Sequence, residues 1–412
     1  MESDIKIRRA DPDEWDAFSR VAELVFGQTM TDERRARAGG AFEFDRGMTA
    51  EDHGELVATG GAYSLDLTLP GLTTIPVGGL TWISVLPTHR RRGILRRMIG
   101  RHFDDVLERG EPASILIASE SVIYGRFGYG PATQVASYEI DTHQAAFAQP
   151  VGGTGRVRAV RGDEALQLLP AVFDRARRRQ PGEITRSQEW WSTVLSDPEW
   201  MRHGDTAAVN LVYERAPGQA ADGYARYRLH AHWERMLAAY TVKVEELMAL
   251  TPQAHATLWR FLLDLDLSAK LELFNGRVDE PLRWRLADPR QLRTTFVGDA
   301  VWVRLLDIPA ALAARRYGVA DRLVLEVTDA LRPERGGRFA LEGGPDGAAC
   351  APTSEDPDIV LGVAELGATY LGGARFSALA AATRATEATT GALARADHMF
   401  LGEQAPFCSR DF

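Results

Sequence analysis

Residues 82–98 read WISVLPTHRRRGILRRM. An apolar strand pattern stops at Pro87, three arginines follow, and Gly93 stands where apolar residues begin to recur at helical spacing: Ile94, Leu95, Met98, Ile99 and Phe103. Such a helix start leaves several backbone N–H groups unpaired and presents the positive end of the helix dipole. Arg90, Arg91 and Arg92 add charge, and a glycine lets the backbone approach a ligand closely. Together they make a pyrophosphate site; a basic helix start without a ligand fits the same local pattern. Gly110 is placed to stop the helix, and SILIAS (114–119) comes next as an apolar strand. Upstream, DPDEWD opens a helix over Asp13–Phe26, and ELVATGGAYSLDLTL (55–69) reads as the strand before GGLTWISVLP (78–87).

Further along, Gly152, Gly153 and Gly155 mark a linker. A second αβ sequence then runs to about residue 295. It includes the strand pair YARYRLHAHWE and LAAYTVKVEELMAL and the helix TPQAHATLWRFLLDLD, capped by Thr251. Strands followed by a helix repeat the first order, which suggests a degenerate duplication. Its strand-to-helix junction, VEELMALTPQAHATLW, has no glycine, so a second phosphate loop is not expected. The third part runs from AVWVRLLDIPAALAARRYG through the strands RLVLEVTD, GRFALEG and PDIVLGVA. A turn, ELGATYLGG, and one Ala-rich helix over 376–400 complete it. Three units are expected, at 1–150, 151–297 and 298–412.

At 412 residues, with 45% hydrophobic and 25% charged, the chain is long enough for several ordinary cores. Its formal charge of −9 argues against a nucleic-acid-binding body, which needs a broad basic face, and favours cationic small molecules. Cys350 and Cys408 form no disulfide framework and no CxxC or Cys/His zinc set, so no metal is expected. The start, MESDIKIRRADPDEW, lacks a signal-peptide core, and no run approaches the roughly 20 apolar residues of a membrane span. A cytoplasmic location is the expectation.

The spacing Arg90-x-x-Gly93-x-Leu95 resembles the Arg/Gln-x-x-Gly-x-Gly/Ala signature of GNAT N-acetyltransferases, with Leu95 in place of the usual small residue. The resemblance implies acetyl-CoA as cosubstrate, bound at Arg90, Arg91, Arg92, Gly93 and Ile94. The backbones of Ile83 and Val85 would hold the pantetheine arm, and the next strand would splay away. The segments LPTHRRRGILRRM, IYGRFGYGPAT, DIVLGVAELGATYLGG and FCSRDF are together similar to the Eis (enhanced intracellular survival) family across essentially the whole chain. That resemblance implies an α/β (α+β) fold of two tandem GNAT-type regions and a C-terminal domain like sterol carrier proteins. It also implies acetylation of amines such as aminoglycosides, and a homohexamer.

Tyr124 matches the family's catalytic tyrosine. A phenol, with a pKa near 10, is protonated at neutral pH and can give a proton to a leaving thiolate. The plainer reading of Tyr124 and Tyr129 is a pair of core aromatics around a glycine turn. The family pattern places the terminal carboxylate in the active site, here that of Phe412, as base or amine-orienting group. With a reference pKa of roughly 3.3–3.7 it is a weak base in water. Glu23 is a candidate for amine binding or an exposed helix glutamate, and Ser119 a pocket residue or a plain strand end. His230 and His232 share one strand face without a third metal ligand in view. Two other functions stay open: a lipid carrier using the C-terminal unit, and acetylation of protein lysines.

Overall fold

The computed structural model describes residues 5–153 and 155–412. The described residues gather into two compact units: residues 5–133 with Ala300–Pro406 and Asp411–Phe412, and Gln134–Asp299 with Phe407–Arg410.

In the first unit a seven-stranded sheet runs, in spatial order, Lys6–Arg9, Met48–Asp52, Glu55–Thr68, Thr74–Val85, Ala113–Ile117, Val301–Leu305 and Gly130–Pro131. The helix Ile94–Glu108 buries Ile94, Met98, Ile99, His102, Phe103 and Val106 against it, as its spacing predicts, and Gly110 ends it at φ 74°. The predicted first helix forms as Trp15–Phe26, entered by a 3₁₀ turn at Pro12–Glu14. A further helix, Asp32–Ala41, buries nothing, and the sequence reading missed it because it has no apolar stripe to detect.

The same unit carries a five-stranded sheet ordered Gly347–Pro352, Gly337–Gly344, Asp321–Thr328, Ile359–Gly362 and Ala385–Glu387. Two expectations fail here. ELGATYLGG turns only from Tyr370 onward: Val363–Thr369 is a helix. Its glycine serves close packing, since a Cβ at Gly367 would run into the Val303 carbonyl, and one at Gly130 into that of Ala364. The long Ala-rich helix is two helices, Phe376–Ala381 and Ala392–Phe400, with an edge strand between. Thr383, at φ 60°, breaks the helical run, and Ala385–Glu387 pairs with Ile359–Leu361.

The second unit is a seven-stranded sheet ordered Arg293–Asp299, Gln134–Asp141, Ser268–Gly276, Tyr240–Ala249, Gly223–His230, Val209–Glu214 and Arg156–Val160. Gly162–Arg177, Gln188–Ser196 and Pro252–Leu263 are its long helices among the described residues. Unlike the expected division, Gln134–Asp141 belongs to this sheet, and Val301–Leu305 is a strand of the first. Alternation identifies a strand but not its partners, which lie far off in sequence. Among the described residues no helix is long and apolar enough to cross a membrane.

Candidate active site

The strand Thr74–Val85 pairs in parallel with Ala113–Ile117 only through Val77, Gly78 and Gly79. From Leu80 onward it runs beyond that ladder. Trp82 stands at φ 56°, and the register against Glu55–Thr68 shifts opposite it, so a bulge turns the strand aside. Ile83 and Val85 therefore lie on the half of the strand beyond the parallel ladder.

The loop behind it is held open by its own chemistry. Asp52 takes His89 Nε2 at 3.2 Å and Arg92 Nη1 at 3.3 Å, and Arg90 Nε donates to the Val85 carbonyl at 3.4 Å. Arg90, Arg91, Arg92 and Gly93 are exposed. Gly93, at φ 76°, is the cap residue of the helix Ile94–Glu108 and offers no side chain to its first N–H groups. A Cβ there would meet no protein atom. The free N–H groups, the guanidinium groups and that open space fit a pyrophosphate. The Ile94 side chain is buried, so only its backbone N–H can serve this role.

Tyr124 ends the short helix Ser121–Tyr124 and is 7% exposed. Burial raises the phenol above its ordinary pKa; a hydrogen bond with Ser119 opposes the shift and the charge of Glu120 reinforces it. The group is thus a protonated donor at neutral pH. Gly128, at φ 82°, turns the chain back so that Tyr129 N–H donates to the Tyr124 carbonyl at 3.3 Å. Tyr129 is fully buried, its hydroxyl 2.8 Å from Ser114 Oγ, which is 2.7 Å from His102 Nε2. That chain belongs to the core. Burial, with the Arg46 charge second, depresses the His102 pKa to about 3, so the imidazole is neutral.

The Phe412 ring lies over Gly79, where a Cβ would stand 2.9 Å from it, and Thr81 Oγ1 donates to the Phe412 carbonyl oxygen at 3.4 Å. The chain's last residue is thereby brought to the splayed strand. Glu23 is neither exposed nor free: its carboxylate takes Arg35 Nη2 at 2.7 Å, with side chains 13% and 15% exposed. His230 Nδ1 lies 2.8 Å from Asp205, which also takes Lys243 at 3.0 Å. Sequence reading missed Gly79, Thr81, the Trp82 bulge and the Asp52 brace. The pair Gly78–Gly79 inside an apolar strand was the one available signal, since glycine there marks a bulge or a close approach.

Comparison with known proteins agrees with this geometry. Residues 6–132 and 182–305 match two acetyltransferase (GNAT) domain families, and 308–409 a sterol carrier protein domain. An uncharacterized N-acetyltransferase of Streptomyces coelicolor is 39% identical over 416 residues, covering 98% of each chain. N-acetyltransferase Eis of Mycobacterium tuberculosis is 38% identical over 356 residues, 85% of this chain and 84% of that one. The crystal structure of Eis1 from Mycobacterium abscessus superposes with a TM-score of 0.86 at 32% identity, covering 99% of this chain and 100% of that one. GNAT acetyltransferases use acetyl-CoA. With relatives this similar over this much of its length, the chain is an acetyltransferase and belongs to the Eis family of GNAT N-acetyltransferases.

Proposed function

We propose that the enzyme transfers acetyl directly from acetyl-CoA to amines of small polycations such as aminoglycosides, without a covalent acyl-enzyme. The substrate amine, as free base, attacks the thioester carbonyl carbon. The C–S bond breaks, and the leaving thiolate takes the proton of Tyr124, which solvent later replaces. The attacking nitrogen sheds its extra proton to the Phe412 carboxylate or, through it, to water. As a weak base, that carboxylate acts mainly by holding the ammonium form in line before reaction, and the ammonium loses one proton to water to become the attacking free base. Arg90–Arg92 and the N–H groups after Gly93 hold the pyrophosphate, and Ile83 and Val85 the pantetheine arm beyond it.

One observation carries this reading: Phe412 reaches the strand of Ile83 and Val85, at Thr81, two residues from the first of them. An overall charge of −9 favours polycationic acceptors. Glu23 can join them only by releasing Arg35.

The test is thiol release from acetyl-CoA with aminoglycosides, diamines and lysine peptides as acceptors, after mass spectrometry confirms that the protein ends at Phe412. Amines of the first two classes should turn over. A C-terminal amide or a short extension should depress kcat/KM, leaving acetyl-CoA affinity unchanged. A folded, extended enzyme with normal kcat/KM would remove Phe412 from the chemistry.

A further inference from the structure

The second sheet opens as the first does. Tyr240–Ala249 pairs in parallel with Ser268–Gly276 only through Tyr240–Val244, so Glu245 and Glu246 on one strand and Asn275 on the other lie beyond the ladder. Residues of the chain's own tail, Phe407–Arg410, pack here. The Ser409 N–H donates to Glu183 Oε2 at 3.0 Å, and Arg186 Nη2 donates to Ser409 Oγ at 2.6 Å. Asn275 Nδ2 donates to the Ser409 carbonyl. On either side, Phe407 N–H donates to the Pro181 carbonyl at 2.8 Å, and Arg410 lies 3.9 Å from Glu245.

The grip is itself rigidly held. Arg186 lies 3.8 Å from the centroid of Phe173 and 4.3 Å from that of Trp190, and pairs with Glu246, which also accepts from Tyr224. Burial would raise the Glu246 carboxyl, but Arg186 brings it down to about 2, so the pair stays charged. Glu183 is completely buried, as are Phe407, Cys408 and Ser409 to within a few per cent. A free terminus is ordinarily frayed, and ordering four residues costs roughly 1–2 kcal/mol each in backbone entropy. So many buried partners for so short a segment mark a built peptide site.

We propose that the splayed slot of the second sheet is a peptide site for the chain's own tail, with Glu183, Arg186 and Asn275 as positioning residues for Phe412. Only Asp411 separates Arg410 from Phe412. Two extended residues span about 7 Å, so holding Ser409 and Arg410 limits where the terminal carboxylate can go. This inference rests on the role given to Phe412 above.

The test uses the full-length enzyme and two readouts. Glu183→Ala deletes the acceptor of the Ser409 N–H, whereas Glu183→Gln keeps an oxygen there. In the alanine variant carboxypeptidase should release Phe412 at least tenfold faster. Its kcat should fall at least tenfold, with the acetyl-CoA Kd unchanged, and the glutamine variant should recover most of both. Ser409→Ala and Asn275→Ala, which leave the Arg186–Glu246 pair intact, should move both readouts the same way and cover the case in which Glu183→Ala does not fold. Unchanged trimming and kcat in these folded variants overturn the proposal. Normal kcat in the amidated wild-type enzyme would instead overturn the reading of Phe412, and trimming rates would tell the two failures apart.

Discussion

The two GNAT-type sheets share a splayed central strand pair and differ in the helix start that comes after it. In the first, the strand leads into a helix whose cap is Gly93, with no side chain over its N–H groups and arginines before it. In the second, Thr251 Oγ1 accepts from Ala254 N at 3.1 Å, and Pro252 has no N–H to offer. One helix start is open to an anion, the other closed by its own sequence. The proposed pyrophosphate site at the first helix start therefore turns on two or three residues at the helix cap and not on the splay. The buried polar groups differ as well. Tyr129 meets neutral Ser114 and His102 in the first sheet, whereas Tyr224 meets the charged Glu246–Arg186 pair in the second.

The strongest way to break this comparison is at the chemistry. Tyr124→Phe should lower kcat by about 10²–10⁴-fold while acetyl-CoA binding, measured by calorimetry, stays the same. Wild-type kcat would make the two regions equally inert. Next in size is Gly93→Asp, which should weaken acetyl-CoA by about 30-fold, or 2 kcal/mol. A non-glycine residue at φ 76° is strained, and its carboxylate would stand where phosphate charge is expected. Unchanged affinity in the folded variant would mean that the open cap is not the phosphate site.

Acid sharpens the contrast between the buried groups. His102 has a folded pKa of about 3 against roughly 6.5 unfolded, so its contribution is complete above pH 6.5 and is lost as pH falls toward 3. At pH 5 that loss is about 2 kcal/mol. Glu246, lowered to about 2, gives up its share only below about pH 4.5. Hydrogen exchange at pH 5 should thus show protection falling first in the sheet of His102, and His102→Gln should abolish that difference. Equal loss in both sheets would contradict the assignment. The smallest effect belongs to Thr251→Ala, which should cost about 1 kcal/mol of stability and leave the acetyl-CoA KM untouched. A raised KM would show that the second helix start takes part in cofactor binding after all.

Three strands of the first sheet, read at 55–69, 78–87 and 114–119, the helix Ile94–Glu108 and the loop before it were legible because local rules decide them: apolar period, glycine stops and cap chemistry. Tyr124 and Phe412 were named through family resemblance, since a tyrosine in a glycine turn or a phenylalanine at a chain end carries no spacing signal. Asp52, Thr81, Glu183 and Asn275 escaped because each acts on a partner far away in sequence. Glu23 was offered as an amine-binding residue or an exposed helix glutamate because nothing marks Arg35, twelve residues on, as its partner. The Ala-rich stretch misled for another reason: helix propensity is a weak prior, and the pairing of Ala385–Glu387 at the sheet edge overrides it.

The strand Val301–Leu305 sits between Ala113–Ile117 and Gly130–Pro131, closing a sheet whose other strands are all finished by residue 131. On the ribosome it emerges well over a hundred residues after its neighbours. At 5–20 residues per second, the catalytic sheet waits on the order of ten seconds or more for its last strand. Throughout that interval Ala113–Ile117 presents a bare apolar edge, the kind of surface on which nascent chains pair wrongly. Synthesis that stalls before residue 301 would leave a chain holding the cofactor loop and Tyr124 but no completed sheet to support them, an early demand on chaperones that the finished enzyme gives no sign of.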